Sequence, residues 1–335
     1  MPVTINGSDG ITNASWTTGT RPSNPGAGQM GFNSETNALE FYNPILDEWR
    51  PIFAGSINAT GGSISDLAVG GVQYRIHEFT SDGTFEIVDG TAFLDVVIVG
   101  GGGCGGFATA AGGGGGGGGA GEVKIVSTQL TAGTYPVTVG NGSSSVDTNG
   151  EDSIFNNTTA IGGGFGGSDG ASAGDGGSGG GMHREDGSAG NAIGDGFGNN
   201  GGDGAFVGTF RQRGGGGGGA GAPGVTSTSQ GDSPPDGGDG IDISADFTTA
   251  FGDNGYVGGG GAGGTGHNAT FSPDRDAEGG LGGGADSFRD SNGATGQDAM
   301  PNTGGGGSGA GTDGTSSSDI GNGGSGIVLI RYRIG

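Results

Sequence analysis

The sequence has little of the material that builds an ordinary globular core. Only 30% of its 335 residues are hydrophobic, whereas 93 are glycine. Ordering a glycine costs about 0.5–1 kcal/mol more than ordering an alanine, so side-chain packing alone cannot hold such a chain in one structure. One large conventional core is therefore excluded. We expect the glycines to be ordered by dense backbone hydrogen bonding.

Basic residues and long apolar runs are also scarce. Lys124 is the only lysine, and eleven basic residues against 35 acidic ones give a net charge of −24. Without a basic surface for phosphate groups, we expect no nucleic-acid binding. The longest apolar runs, Val96 to Val99 and Ile327 to Ile330, are too short to span a bilayer, and the first residues do not resemble a secretory signal. We expect neither membrane insertion nor export by a standard signal.

Residues typical of catalytic and metal sites are few. The single cysteine, Cys104, excludes an internal disulfide, and we interpret it as a buried small hydrophobic residue. His77, His183 and His267 lack metal-ligand spacing, although they could meet across a symmetry axis. No Ser-His-Asp or Cys-His arrangement can be singled out. The sequence therefore predicts no enzyme activity and no cofactor.

Two glycine motifs resemble ligand sites but lack the required context. Gly100 to Gly105 imitates a dinucleotide fingerprint, yet no helix follows it. Gly237 to Ile243 partly matches a calcium-binding nonapeptide, but only one copy is present. Residues 162–326 carry 20 acidic residues and five arginines, so a structural calcium ion in a loop stays open. Most of these carboxylates are expected to form a solvated surface.

Residues 1–55 have nearly ordinary composition and form a first module. Alternating residues predict a meander of three strands, followed by a linker over residues 56–73. The predicted strands are Gln29 to Asn33, Leu39 to Tyr42 and Glu48 to Ile52. About fifty residues rarely bury enough surface unaided, so we expect this module to pack against neighbouring copies.

Residues 74–161, together with residues 326–335, are predicted to form a β-sandwich. The alternation gives strands at Tyr74 to Thr80, Thr84 to Val88, Leu94 to Val99, Gly121 to Ser127 and Gly133 to Gly140. The last strand of the sandwich is predicted at Gly326 to Ile334, which would join the two ends of the intervening glycine-rich region. The fold class is thus all-β, with no significant α-helix.

Residues 162–325 are predicted to be a large insertion of packed polyglycine II helices with exposed loops. No helical period of apolar residues occurs there, and glycine opposes an α-helix by about 1 kcal/mol per residue. Collagen is excluded because glycine does not recur strictly at every third position. Extended rods with three residues per turn could bond to neighbours on several sides. Gly115→Val and Gly216→Val should then disrupt folding, whereas Ser308→Ala should be nearly silent.

Two parts of the sequence resemble bacteriophage proteins. Residues 18–42, with Arg21, Pro22, Asn33, Leu39 and Glu40, are similar to a small module of tail-fibre and other virion proteins. The remainder resembles the glycine-rich domain of phage fibres and adhesins. The matching blocks are Ile76 to Phe85, Val96 to Gly102, Gly133 to Gly140, Ile161 to Gly164 and Gly324 to Tyr332.

This resemblance implies a virion protein, a tail fibre or a fibre-tip adhesin that binds a glycan or outer-membrane component of the host cell. The expected partners are further copies of the chain, most simply in a homotrimer, and other virion tail or fibre proteins. The protein would be made in the host cytoplasm and located in the virion. A purely structural appendage, such as a capsid decoration or a head fibre, and a bacterial glycine-rich surface protein are the alternatives.

Receptor contact is predicted on the loops of the insertion, where aromatic and arginine residues occur together. Aromatic faces stack on sugar rings, and arginine binds carboxylates or phosphates in a bidentate manner. The candidate residues are Phe206, Phe210, Arg211, Arg213, His183, Arg184, Phe271, Arg275, Phe288 and Arg289. Each of these phenylalanines could equally fill a gap between rods or subunits.

Overall fold

A computed structural model describes most of the chain. The described residues are 5–6, 10–11, 14–26, 29–34, 38–43, 48–51, 57–109, 113–184, 187–206, 212–227, 235–266, 277–290, 293–311 and 319–334. Within these ranges the protein is nearly all β, and its one α-helix has four residues. No helix in the described part is long and apolar enough to cross a membrane.

The first module contains a four-stranded sheet, and the predicted meander is confirmed. Short strands β1 (Ile5–Asn6) and β2 (Gly10–Ile11) pair with each other; the sheet follows, with β3 (Ser15–Trp16), β4 (Met30–Asn33), β5 (Ala38–Asn43) and β6 (Glu48–Pro51). Its order is β3-β4-β5-β6, and only the β3–β4 pair is parallel. A 3-10 helix, Thr18–Thr20, joins β3 to the segment before β4.

A buried carboxylate organises this module. Glu40 has no solvent exposure and accepts two hydrogen bonds from Arg21, from Nε at 3.0 Å and NH2 at 2.6 Å. Trp16 and Asn33 donate to the same carboxylate at 3.2 and 3.0 Å. Burial raises the pKa of Glu40, but these hydrogen bonds outweigh it and hold the pKa below its usual value. Arg21, Trp16 and Asn33 therefore hold an ionised Glu40 inside the module.

One sheet of eight strands forms the centre of the protein. Its strands are β7 (Asn58–Thr60), β8 (Ser63–Val69), β9 (Val72–Phe79), β10 (Gly83–Val99), β11 (Val123–Thr138), β12 (Ser153–Phe155), β13 (Thr158–Ala160) and, at the end of the chain, β20 (Ile327–Arg333). The order is β13-β12-β11-β10-β20-β9-β8, with β7 also paired to β10. The strand predicted at Gly326 to Ile334 is present as β20, and the structure shows that it lies between β10 and β9.

The sheet folds back on itself because its two longest strands bend. The sequence predicted two strands in each of these segments, but β10 and β11 run continuously through them. A bulge between Ile87 and Thr91 breaks the register, and Gly90 has a φ of +86° there. Side chains from both halves of the sheet then share one core, where the Phe85 ring contacts the rings of His77 and Phe155 at 5.0 and 6.1 Å. This bent sheet gives the sandwich its two layers.

Part of the predicted linker belongs to this sheet. Residues 58–69 form β7 and β8, which pair with β10 and β9. Ser63 to Val69 gives no regular alternation, because the strand lies at the edge of the sheet and is largely exposed. The boundary drawn at residue 74 therefore divides a continuous set of strands.

A second core covers the other face of the sheet. Val97, Val99, Ile327 and Leu329 pack there against residues of the insertion. The covering segment contains β16 (Ile241–Asp242), α1 (Ser244–Phe247) and β17 (Tyr256–Val257), preceded in the chain by the hairpin strands β14 (Ala205–Phe206) and β15 (Gln212–Arg213). Because both faces are buried, the inner strands are continuously apolar rather than alternating.

The glycine runs form closely packed rods, and residues 115–121 make a central rod with six neighbours. Its N–H groups donate to three segments in turn, with a period of three residues. The first neighbour accepts at Ala310, Gly307 and Gly304 from Gly115, Gly118 and Gly121. The second accepts at Gly167 and Gly164 from Gly116 and Gly119. The third accepts at Gly215 and Gly218 from Gly117 and Ala120, and all seven distances are 2.8–3.0 Å. Its carbonyl groups accept from Gly264 and Gly261, from Gly181 and Ser178, and from Gly106 and Gly103. A three-residue period fits the polyglycine II helices expected from the sequence.

Glycine is required in these rods because the backbones of neighbouring rods are too close for a Cβ atom. A Cβ atom added at Gly116 would lie 1.8 Å from the carbonyl oxygen of Gly181, and one at Gly216 would lie 1.9 Å from that of Asp236. Both obstacles are backbone atoms of a neighbouring rod, so a change of side-chain rotamer cannot relieve the clash. The lattice therefore excludes side chains from every direction in which a rod has a neighbour.

Candidate functional site at the distal end of the rods

The rods run between the central sheet and a second end, which we call the distal end. They leave the sheet after Val99 and Ala160 and re-enter it at Val123 and Ile327. The hydrogen-bond ladders place the opposite ends of the rods side by side, because Gly115 bonds to both Ala310 and Gly264. The distal end comprises the described residues Phe107–Thr109, Ser168–Asp169, His183–Arg184, Ala205–Phe206, Gln212–Arg213, Thr265–Gly266 and Phe288–Asp290.

The hairpin of β14 and β15 presents one aromatic residue at this end. Ala205 pairs with Arg213, and the backbone of Arg213 also forms a bridge to Thr265 on another rod. The Phe206 side chain is 40% exposed, whereas Arg213 is only 4% exposed. The Phe206 ring thus reaches the surface, while Arg213 belongs to the packing between rods.

A second hairpin presents another phenylalanine. It consists of β18 (Phe288–Asp290) and β19 (Gly293–Thr295), and Phe288 pairs with Thr295. The Phe288 side chain is 51% exposed. Arg289 lies next to it in β18, with its side chain outside the described part of the structure. Two distal hairpins therefore each expose an aromatic ring. Among the described phenylalanines, Phe197 is similarly exposed, at 46%, but it pairs with Val123 at the sheet end of the rods.

A polar cluster joins three distal segments. The Asp169 carboxylate accepts from the Thr109 amide at 2.7 Å and from the Thr109 hydroxyl, and its Oδ1 lies 3.1 Å from His183 Nε2 and 3.4 Å from Arg184 NH2. Burial raises the pKa of Asp169, but the bonds from Thr109 and the positive charges nearby lower it overall. His183 is fully buried. An ionised Asp169 therefore fixes the ends of three rods and holds Arg184 at the surface.

The sequence-predicted receptor residues consequently separate into groups. Phe206 and Phe288 are exposed, and Arg184 is partly exposed beside Asp169. His183 and Arg213 are buried, and receptor contact by the predicted residues stays a prediction. Sequence reasoning missed Thr109 and Asp169 because they are 60 residues apart and only the register of the rods brings them together. Phe210, Arg211, Phe271 and Arg275 lie outside the described residues.

The structure brings no metal-ligating set together in its described part. There, no group of three or more His, Cys, Asp or Glu residues could hold a metal ion. His77 lies in the sandwich core, where Nδ1 is 2.6 Å from the Gly61 carbonyl, far in the fold from His183 at the distal end. His267 is outside the described residues. In the partial calcium motif, Asp239 and Asp242 accept hydrogen bonds from the amides of Leu281 and Ser244.

Cys104 is buried within a glycine rod, as the sequence predicted. Its Sγ donates to the Ser145 carbonyl at 3.0 Å, and burial raises the pKa of the thiol. A thiol with a raised pKa forms little of the reactive thiolate at neutral pH. Its packing role is therefore sufficient to explain its presence.

The fold thus belongs to a class in which a bent β-sheet carries a lattice of glycine rods. A family model described as a glycine-rich domain matches residues 80–333, and the chain belongs to this glycine-rich domain family. The match begins directly after β9 and ends with β20, so it covers the lattice and five of the eight strands of the central sheet. A search of curated proteins finds no match to the chain.

Proposed function

We propose that this chain is a structural protein of a bacteriophage virion, a tail fibre or fibre-tip adhesin, that binds a host cell-surface receptor through its distal end. The observation that carries this proposal is the exposure of Phe206 and Phe288 on two hairpins at the end of the lattice remote from the sheet. Membership of the glycine-rich domain family and the resemblance of residues 18–42 to a virion module support it.

The chemistry of the distal end suits a glycan or an outer-membrane component. An exposed phenylalanine ring offers a flat apolar face for stacking on a sugar, and Arg184 places a cation at the same end. The net charge of −24 repels an acidic surface elsewhere, so contact with acidic sugars would depend on local arginines or bridging divalent cations. In this proposal calcium is such an ion, and the protein has no catalytic role.

Assembly and location form part of the same proposal. The small first module would pack against further copies, most simply in a homotrimer, and against other tail or fibre proteins of the virion. The chain would be made in the host cytoplasm and released within the virion. Nucleic acid is not among the proposed partners, because only eleven basic residues oppose 35 acidic ones.

A purely structural appendage, such as a capsid decoration or head fibre, is the second candidate, alongside a bacterial glycine-rich surface protein. The burial of His183 and Arg213 favours this alternative, since two predicted contact residues serve the packing of rods instead. A purely structural appendage has no receptor binding to lose, so it should keep its assembly when the distal aromatic residues are removed.

Binding to intact host cells separates these candidates. The double variant Phe206→Ala/Phe288→Ala should weaken the binding of purified protein to cells at least about tenfold. Aromatic side chains that become buried in an interface contribute much of the binding free energy. The matched control is Ile193→Ala/Leu281→Ala, which removes two side chains of similar exposure, 57% and 51%, away from the distal hairpins. Equal cell binding by the two variants, with unchanged melting temperature and oligomer mass, would contradict receptor contact through these hairpins.

A further inference from the structure

Rods at the flank of the lattice have N–H groups for which no neighbouring rod supplies an acceptor. Two such groups belong to Glu278 and Leu281, three residues apart on one rod. The Glu278 amide donates to Asp236 Oδ1 at 2.8 Å, and the Leu281 amide donates to Asp239 Oδ1 at 3.0 Å. The capping carboxylates therefore repeat with the same three-residue period as the rod itself.

Each of these carboxylates works together with the residue that follows it. The amides of Gly237 and Gly240, directly after the two aspartates, donate to the carbonyl oxygens of Glu278 and Leu281 at 2.8 and 2.7 Å. An aspartate and the next amide thus bind both backbone groups of one residue on the adjacent rod. This arrangement is a side-chain substitute for a missing rod, and we call the aspartate in it a flank cap.

The same arrangement recurs elsewhere on the lattice. Asp175 accepts from the Asn191 amide at 2.6 Å while Gly176 donates to the Asn191 carbonyl, and Asp298 accepts from the Asn322 amide at 2.8 Å while Ala299 donates to its carbonyl. In a related form, the amide after the capping residue donates to the carbonyl group that lies two residues before the capped residue. Asp286, Asn149 and Asn200 form such caps, on the amides of Gly279, Phe165 and Ala192 respectively.

Caps point outward because the following residue points inward. A Cβ atom at Gly237 would lie 1.9 Å from the Gly260 carbonyl, and one at Gly240 would lie 2.1 Å from the Val257 carbonyl. The preceding aspartates are at the surface, where Asp175, Asp239 and Asp298 are exposed. Position n therefore faces solvent while position n+1 faces the lattice, which accounts for aspartate directly before a small residue in these segments.

We propose that the flank caps close the sides of the glycine lattice against lateral addition of rods from a second copy of this chain. An uncapped rod would present an N–H group at every third residue with no side chain in the way, much as an exposed edge strand presents its backbone. Within one molecule such rods accept up to six neighbours, as the central rod does. The occupant that best fits an opened flank is consequently another glycine rod.

Three charge-controlled variants test this inference by sedimentation velocity over a range of protein concentrations. The cap variant Asp175→Ala/Asp239→Ala/Asp298→Ala should associate beyond the assembly formed by the wild-type protein, with at least about a twofold gain in mass as copies pair. The matched control, Glu86→Ala/Asp195→Ala/Asp203→Ala, removes three exposed acids whose carboxylates accept from no other residue's backbone amide among the described residues, and none of the three takes part in a flank cap. It should sediment as the wild type does.

The third variant, Asp175→Asn/Asp239→Asn/Asp298→Asn, removes the charge but keeps the acceptor oxygen. It should stay at the wild-type mass, because Asn149 and Asn200 already act as caps in the native lattice. Association of this variant as strong as that of the alanine variant would overturn the proposal in favour of simple charge repulsion. Wild-type mass for the alanine variant would overturn it as well.

Hydrogen exchange keeps the test decisive if the triple alanine variant does not fold. In the single variant Asp298→Ala, the Asn322 amide should exchange up to about tenfold faster than in the wild type, as expected for loss of one hydrogen bond. The same single variant at high concentration should recover slow exchange at Asn322 as copies pair. Fast exchange at every concentration would show that an opened flank attracts no second copy, and it would overturn the proposal.

Discussion

The central sheet is held together mainly by side chains, and the glycine lattice mainly by the backbone. In the sheet, fully buried side chains fill two cores, with Phe85 and Leu94 in the first and Leu329 in the second, and the strands bond to each other within the sheet. In the lattice, the backbone bonds to as many as six neighbours and buried side chains are few and small. The sheet is stabilised chiefly by the removal of apolar surface from water, whereas the lattice depends on hydrogen bonds that leave no room for a Cβ atom.

This difference teaches what each region tolerates. Loss of volume in the sheet leaves a cavity to which the surroundings adapt in part. Added volume in the lattice meets backbone atoms on neighbouring rods, and those rods are themselves fixed by further rods. A single added side chain therefore affects several segments at once, and glycine content becomes the limiting requirement of the fold.

The largest expected effect comes from breaking the central rod. Gly116→Val places a Cβ atom 1.8 Å from the Gly181 carbonyl, so two rods must separate and their shared hydrogen bonds must lengthen or break. We expect a loss of at least about 3 kcal/mol, at the upper end of overpacking costs, and failure to obtain folded protein at 37 °C. Soluble yield and thermal unfolding measure the effect.

The control for this variant is Gly133→Ala in the sheet. The nearest atom to an added Cβ there is the Tyr135 hydroxyl oxygen at 3.4 Å, an ordinary contact. Gly133→Ala should leave the melting temperature within a few degrees of the wild type. Similar losses of stability for both variants would show that the glycine runs are not closely packed rods.

The sheet could be predicted from the sequence to a greater extent than the lattice. Alternation located the meander, and a continuous apolar run located the closing strand β20, because both patterns report burial directly. Alternation failed at the bulge near Gly90, where a turn signal stands inside one continuous strand, and at the exposed edge strand β8. Glycine has no side chain with which to specify a neighbour, so the pairing of rods could not be read from the sequence.

The distal end shows the same limit. Phe206 and Phe288 were found as aromatic residues in loops, but the burial of His183 and Arg213 depends on which rods are adjacent. A signal for the flank caps was present in the repeated aspartate and glycine of Asp236 to Gly240. Its meaning emerges only once the three-residue period of both rods is known.

A smaller effect on the free energy of unfolding comes from protonation of His77 in the sandwich core. His77 is fully buried; Nδ1 donates to the Gly61 carbonyl, and Nε2 lies 3.3 Å from the Tyr332 hydroxyl. Burial lowers the pKa of His77, although the bond to Gly61 opposes the shift. Below about pH 6.5 the unfolded chain therefore binds more protons than the folded one, and stability should fall by up to about 1.4 kcal/mol per pH unit. Above that pH this dependence should vanish.

The matched comparison is His77→Gln, measured by chemical denaturation between pH 7 and pH 5. Glutamine can still donate to Gly61 but does not titrate, so the variant should be less stable yet show a flatter pH profile. Glu78 acts in the opposite direction, since burial raises its pKa, and it contributes equally to both proteins. Identical slopes for the two proteins would remove His77 as the titrating group.

The smallest effect tests whether any side chain matters inside the lattice. The sequence suggested that Ser308→Ala would be silent, but Ser308 is fully buried and its Oγ accepts a hydrogen bond from the Gln297 amide at 2.8 Å. Alanine removes this acceptor, so the Gln297 amide loses its hydrogen bond to Ser308. The expected cost is about 1 kcal/mol in the free energy of unfolding. Ser81→Ala, at an exposed turn of the sheet, is the matched control and should change the free energy by less than about 0.5 kcal/mol. If Ser308→Ala were as neutral as Ser81→Ala, the lattice would be held by its backbone alone, and its few buried hydroxyl groups would only occupy space that the rods leave open.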